Sequence, residues 1–207
     1  MAHHPYPPGI PAPEADAVRE ICRLAWKRRL LSGFNGNVSV RLEDGGMLIT
    51  RSGAAKGYLD ENGFCRVRIA DGALLAGEKP SSEGGMHLAV YRARPEARAV
   101  VHTHPPRLLA LGLLLPWEKR LDIPVYEAQA LRGELARVPD YEPGTTALAE
   151  AAGEAARTGK ALWMERHGLA VWGGDLVSAL ALSEELEHLA DVQLRAMRAC
   201  DHAAGKP

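Results

Sequence analysis

In RAVVHTHPP, residues 98–106, His102 and His104 stand two apart at the end of an apolar run that two prolines close. Val100 and Val101 favour β structure, and side chains two apart on a strand share a face, so the two imidazoles project together. Such a pair either begins a metal site or sits at a wet strand end, because two imidazoles leave a divalent ion short of ligands. His167, in MERHGLAV, sits at another strand break just before a glycine. A third imidazole would complete a facial cap that leaves positions open for substrate oxygens. Spacing does not say whether His167 meets the pair, and a solvated turn histidine is the competing reading. Glu83 follows Ser81 and Ser82 in the first turn of an expected helix. It is either a capping residue or, beside a dication, a base that takes a proton from carbon next to a polarised carbonyl. His87, one turn further on, reads as a packing or orienting residue.

Three small-residue segments could hold an anion: NGNVS (35–39), TRSG (50–53) and PSSEGG (80–85). Each offers backbone N–H groups, hydroxyls or an amide near a turn, and the last also opens a helix. Any one of them is a common turn; together they point to a phosphorylated substrate. No stretch matches a phosphate-binding G-x-x-x-x-G-K-[ST] loop or a dinucleotide-binding G-x-G-x-x-G between strand and helix.

The elements that must position these residues follow from periodicity. PEADAVREICRLAWKRRLL repeats apolar residues at helical spacing, and SGFNGN ends it. VSVRL (38–42) and GMLIT (46–50) read as strands joined by the turn EDGG, with FCRVRI (64–69) next and a short strand in ALLAGEKP. A helix runs from SSE to about Arg94, and the strand carrying His102 follows. PPRLLALGLL is expected to be helical and RLDIPVYEA extended. PGTTALAEAAGEAARTG has a Thr start and a Gly stop. KALWMERHGLAVWGG gives two strands broken at ERHG, and a long helix follows, capped by Asp175. Trp117, Trp163 and Trp172 are expected in the core or at subunit contacts, and Glu184, Glu185 and Glu187 on the solvated or inter-helix side of that last helix. The predicted fold is a single α/β domain with a mostly antiparallel or mixed central sheet flanked by helices. It spans 14–198, between a Pro-rich arm (1–13) and a short tail (199–207).

Composition narrows the function classes. The 207 residues carry 25 Lys and Arg against 26 Asp and Glu, which gives no footprint for nucleic acid or an anionic membrane. No apolar run reaches spanning length, and the N-terminal stretch lacks the pattern of a secretory signal, so a cytoplasmic protein is expected. Cys22, Cys65 and Cys200 form no Cys-x-x-Cys pair and read as reduced thiols rather than a zinc site or disulfide framework. His3, His4 and His202 read as tail residues.

The order and spacing of GFNGNVSVRL, LITRSG, KPSSEGGMHLAVYRARPEARAVVHTHPP, PGTTALAE and RHGLAVWGGDLVSALALSEELEHLA resemble the class II aldolase/adducin family over about residues 14–198. The resemblance implies that His102, His104 and His167 hold Zn²⁺, with Mn²⁺ or Co²⁺ as other ions that imidazole accepts. It implies that Glu83 moves a proton at the carbon between carbonyl and hydroxyl of dihydroxyacetone phosphate. The phosphate would lie on Asn37, Ser52, Gly53, Ser81 and Ser82. Tyr126, supplied by a neighbouring subunit, would protonate an aldehyde oxygen, with the active sites between the subunits of a homotetramer. The implied activity is reversible cleavage of a ketose 1-phosphate, of the L-fuculose 1-phosphate kind, to dihydroxyacetone phosphate and an aldehyde. Alternatives within the family are a methylthioribulose-phosphate dehydratase, which YEAQALRG around Glu127 partly matches, and a ribulose-phosphate 4-epimerase, which tends to carry aspartate where Glu83 stands. An adducin-like interaction module would have no use for an open imidazole cap. Two departures stand out: Arg51 occupies a position that is often proline in the family, and the C-terminal stretch has no aromatic residue to close over a substrate.

Overall fold

The computed structural model of the chain describes residues 5–203, with side chains described as far as residue 200. His3 and His4 lie outside the described residues, as does the side chain of His202. In chain order the elements are α1 (Ala12–Lys27), β1 (Asn37–Arg41), β2 (Gly46–Thr50), β3 (Phe64–Arg68), β4 (Leu74–Ala76), α2 (Gly84–Ala93), β5 (Ala99–Thr103), α3 (Pro106–Leu114), α4 (Tyr126–Arg132), β6 (Leu135–Val138), α5 (Thr146–Ala155), β7 (Ala161–Met164), β8 (Gly168–Gly173) and α6 (Leu176–Ala203). Single 3₁₀ turns stand at Lys56–Tyr58 and Trp117–Lys119.

The strands form one eight-stranded sheet in the order β4-β3-β2-β1-β5-β8-β7-β6. Every neighbouring pair is antiparallel except β6 and β7, which run parallel across the α5 connection. The sheet is therefore mixed and mostly antiparallel, as its short turns imply. Alternation along the strands sends side chains to two cores. Val38, Val40, Val101, Leu169 and Val171 meet the buried residues of α1, α3 and α6, while Val100, Met47, Ile49, Ala170 and Trp172 meet those of α2 and α5. Among the described residues no helix is long and apolar enough to cross a membrane.

Local signals explain most boundaries. The Thr145 hydroxyl accepts from the Leu148 amide and starts α5, and Asp175 accepts from the Ser178 amide at the head of α6. Glu187 lies on the inter-helix side of α6, where its carboxylate accepts from the backbone amides of Arg107 and Leu108 and so caps α3 from another helix. One expectation is corrected. RLDIPVYEA is extended only as far as Val125, because the good helix formers of YEAQALR wind into α4 immediately after it. The four-residue edge strand β6 carries no clear signal in LARV; its tertiary pairing with β7 decides it.

Candidate active site

β5 lies between β1 and β8, and this order assembles the site. His102 pairs across the sheet with Asn37 on one side and Ala170 on the other, and His167 stands in the turn that feeds β8. The three rings of His102, His104 and His167 have centroids 4.7–5.3 Å apart. One ligand nitrogen from each falls within 4.8 Å of the others, so the structure brings together the three imidazoles that spacing alone could not. Gly168 makes room for them, because a Cβ there would lie 2.5 Å from the Thr103 carbonyl and 3.2 Å from the His102 ring. The His104 side opens onto a cleft of about 550 Å³ lined by Trp26, Arg29, Ser32 and Pro106.

Hydrogen bonding fixes what these rings can do. His102 Nδ1 donates to the Leu169 carbonyl at 3.1 Å, which leaves the Nε2 lone pair aimed into the cap. His104 Nε2 lies 3.0 Å from that nitrogen. Burial, with His102 and His167 adding to it, pushes the His104 imidazole down to about 3, so the ring is neutral near pH 7. Buried in the same place, His167 Nδ1 has no hydrogen-bond partner among the described residues, and Glu83 Oε1 faces His167 Nε2. Facing imidazole nitrogens beside an orphaned polar atom are what a divalent cation would satisfy, and an all-imidazole donor set suits Zn²⁺ and its neighbours.

Glu83 enters this cap rather than capping its helix. It occupies the N-cap position of α2 without a side-chain cap bond. Its carboxylate instead lies 3.2 Å from His102 Nε2 and 3.0 Å from His167 Nε2. Burial by itself would raise its pKa; the two imidazoles outweigh that and hold the carboxyl well below the usual carboxylate range.

Behind Glu83 runs a buried polar column. Asn37 Nδ2 donates to Glu83 Oε2 at 2.9 Å, and Asn37 Oδ1 accepts from His87 Nε2. His87 Nδ1 is then the acceptor for the Ser39 hydroxyl at 2.7 Å, and Ser39 accepts from the Tyr91 hydroxyl at 2.9 Å. Asn37 and Ser39 alternate on β1, while Glu83, His87 and Tyr91 recur every four residues along α2. Two strand residues rise about as far as four helical ones, so the two rows stay in step. The orienting part that the sequence suggests for His87 therefore acts through Asn37.

The three small-residue segments also converge. The Ser81 amide donates to the Thr50 carbonyl, the Ser52 amide donates to the Lys79 carbonyl, and Arg51 bridges Pro80. Gly53 adopts a left-handed φ of 70° over open space, and the chain at Gly144 packs on Ser82. Asn37 is the member of this set whose amide is engaged with Glu83 and His87. Arg51 reaches toward Glu78 rather than into the cap. Tyr126 is 89% exposed at the first residue of α4, and among the described residues its side chain has no hydrogen-bond partner, so within one chain it is not joined to the histidines. Sequence reasoning missed Lys56, which is 3% exposed and donates to the carbonyls of Phe34 and Ala54. A lone lysine in SGAAKGY reads as a surface residue; the surrounding glycines and alanines are the signal that this one is packed.

Residues 16–194 match the family described as "Class II Aldolase and Adducin N-terminal domain", and the chain belongs to it. Among its relatives is a 3-oxo-tetronate 4-phosphate decarboxylase of Haemophilus influenzae, 37% identical over 177 residues covering 83% of this chain and 82% of that one. An L-fuculose phosphate aldolase of Methanococcus vannielii is also 37% identical, over 172 residues covering 83% and 90%. In three dimensions the chain is similar to the L-fuculose-1-phosphate aldolase of Thermus thermophilus, with a TM-score of 0.77 and 29% identity over 90% of this chain and 95% of that one.

Proposed function

We propose that this protein is a metal-dependent carbon–carbon lyase whose reaction passes through the enediolate of dihydroxyacetone phosphate. The observation that carries the reading is the ionised, buried Glu83 carboxylate set 3.0–3.2 Å from two imidazoles of a three-histidine cap. A divalent ion, Zn²⁺ in the first instance, held by His102, His104 and His167 would supply Lewis-acid stabilisation for negative charge developing on the substrate's carbonyl and hydroxyl oxygens. Ser52, Gly53, Ser81 and Ser82 hold the phosphate on their converging turns. Asn37 orients Glu83 and keeps a second amide N–H for the same anion. Glu83 moves the proton on or off the carbon between the two oxygens.

Two leaving groups fit this chemistry. In aldol cleavage of a ketose 1-phosphate, the C3–C4 bond breaks as the C4 hydroxyl loses its proton, and an aldehyde departs. The electron pair becomes the enediolate, and Glu83, once it has taken up the proton that the C4 hydroxyl releases, delivers it to carbon. Tyr126 of a neighbouring copy would handle the aldehyde oxygen in a homotetramer. The names of the relatives favour a second leaving group. A 3-oxo-tetronate 4-phosphate loses its carboxylate as CO₂, leaves the same enediolate, and after one protonation gives the same dihydroxyacetone phosphate, with no aldehyde oxygen to protonate. The test is to present the Zn²⁺-loaded protein with a panel of ketose 1-phosphates and with 3-oxo-tetronate 4-phosphate. Dihydroxyacetone phosphate with an aldehyde supports the aldolase, and with CO₂ the decarboxylase. Release of water alone, epimerisation alone, or no turnover of any compound overturns the proposal.

A further inference from the structure

The buried cation of Lys56 is left over from the chemistry above. The 3₁₀ turn that carries it is pinned to α1: a Cβ at Gly57 would lie 2.7 Å from the Trp26 ring, and Tyr58 meets the same ring edge-on at 5.3 Å. This packing turns the Lys56 side chain inward. Its ammonium donates to the Ala54 carbonyl at 2.8 Å and the Phe34 carbonyl at 3.1 Å. Those carbonyls belong to the two loops that lead out of Ser52–Gly53 and into Gly36–Asn37. Two neutral acceptors do not neutralise a charge, and an ammonium has three N–H donors. Among the described residues no carboxylate lies within ion-pairing distance of it. Cys22 is close enough to be felt, but burial pushes its thiol up to about 12, so it stays neutral. Glu83 is felt only through space and is already held by the imidazoles and Asn37.

We propose that Lys56 supplies the buried positive charge for the substrate's phosphate dianion, clamping the two turns beneath it and making the site select phosphorylated over unphosphorylated ketoses. This rests on the sugar-phosphate reading given above. Burying a cation without a counter-charge costs stability that an anionic ligand restores, so Lys56 works against the ligand-free fold and for the ligand-bound one. A purely structural clamp would stabilise both.

The experiment compares dihydroxyacetone phosphate with dihydroxyacetone, which offer the same two oxygens to the metal and differ only in the phosphate. Calorimetric titration of the Zn²⁺-loaded wild type, Lys56→Met and Lys56→Arg gives the preference for the phosphorylated ligand. The wild type is expected to show a strong preference. Lys56→Met should lose roughly ten- to a hundred-fold of it, the worth of a charged hydrogen bond, while Lys56→Arg retains most of it. Zinc content should be the same in all three, and the ligand-free melting temperature of Lys56→Met should not fall. An unchanged preference in Lys56→Met, or an equal loss for both ligands, overturns the role. If the wild type shows no preference while binding zinc, the phosphate reading itself falls and takes this inference with it. Should Lys56→Met not fold, the ¹⁵Nζ resonance of Lys56 in the wild type must shift on adding dihydroxyacetone phosphate and not dihydroxyacetone; an unmoved signal overturns the inference.

Discussion

Glu83 shows how little a residue type settles by itself. Ser-Ser-Glu at the head of a helix is a capping sequence by every local rule, yet the carboxylate turns away from the helix amides toward His102 and His167. What redirects it is Asn37, whose amide donates to one oxygen, and two imidazoles that hold its charge. Glu83→Gln keeps the shape and removes the base. It should retain zinc by elemental analysis and lose about 10²- to 10⁴-fold in solvent-proton exchange at the hydroxymethyl carbon of dihydroxyacetone phosphate, followed by NMR in D₂O. Normal exchange in that variant would contradict its part. The pairing of His102 with His104 was legible from i, i+2 spacing on a strand. The inclusion of His167 was not, because it lies 63 positions beyond His104 and only the β5–β8 pairing closes that gap.

At the scale of elements, the site is a seam between β1 and α2. His87 is its midpoint, fully buried, and desolvation, with His102 adding to it, pushes its pKa down to about 3. It is therefore neutral in the folded protein and protonated in the unfolded chain below about pH 6.5. The unfolded state binds the extra proton, so stability rises with pH between about 3 and 6.5, is complete above that window, and is lost as pH falls through it. His87→Gln can still hydrogen-bond but cannot titrate. On going from pH 7.5 to pH 5, urea denaturation should show the wild type losing about 2 kcal/mol more than the variant. Equal losses would mean that His87 is not held neutral. The one-turn spacing of Glu83 and His87 was visible in the sequence, but the part of Tyr91 and the match to Asn37 and Ser39 needed the strand that lies above them.

At the scale of the whole molecule, Tyr126 poses the question of assembly. An exposed tyrosine at the start of a short helix has no work within one chain, and its proposed part depends on a second copy bringing it to the cap. Tyr126→Phe should then slow aldehyde-dependent turnover by tenfold or more while leaving proton exchange on dihydroxyacetone phosphate within a few-fold of wild type. Equal slowing of both, or of neither when an aldehyde is the partner, would remove it from the mechanism. If CO₂ is the leaving group, the substitution should be nearly silent, so this variant also separates the two proposed reactions.

Residue order alone determined the paired imidazoles, the three turns, most of the helices and strands, and a mostly antiparallel α/β sheet, because periods of two and of about 3.6 and the chemistry of Gly, Pro, Ser and Thr act over a few residues. Tertiary structure decided which distant turns meet, that Glu83 serves the histidines instead of its helix, that YEAQALR coils, and that Lys56 is inside. Those outcomes depend on strand pairing and on the burial of charge, which act between parts of the chain that sequence spacing cannot compare.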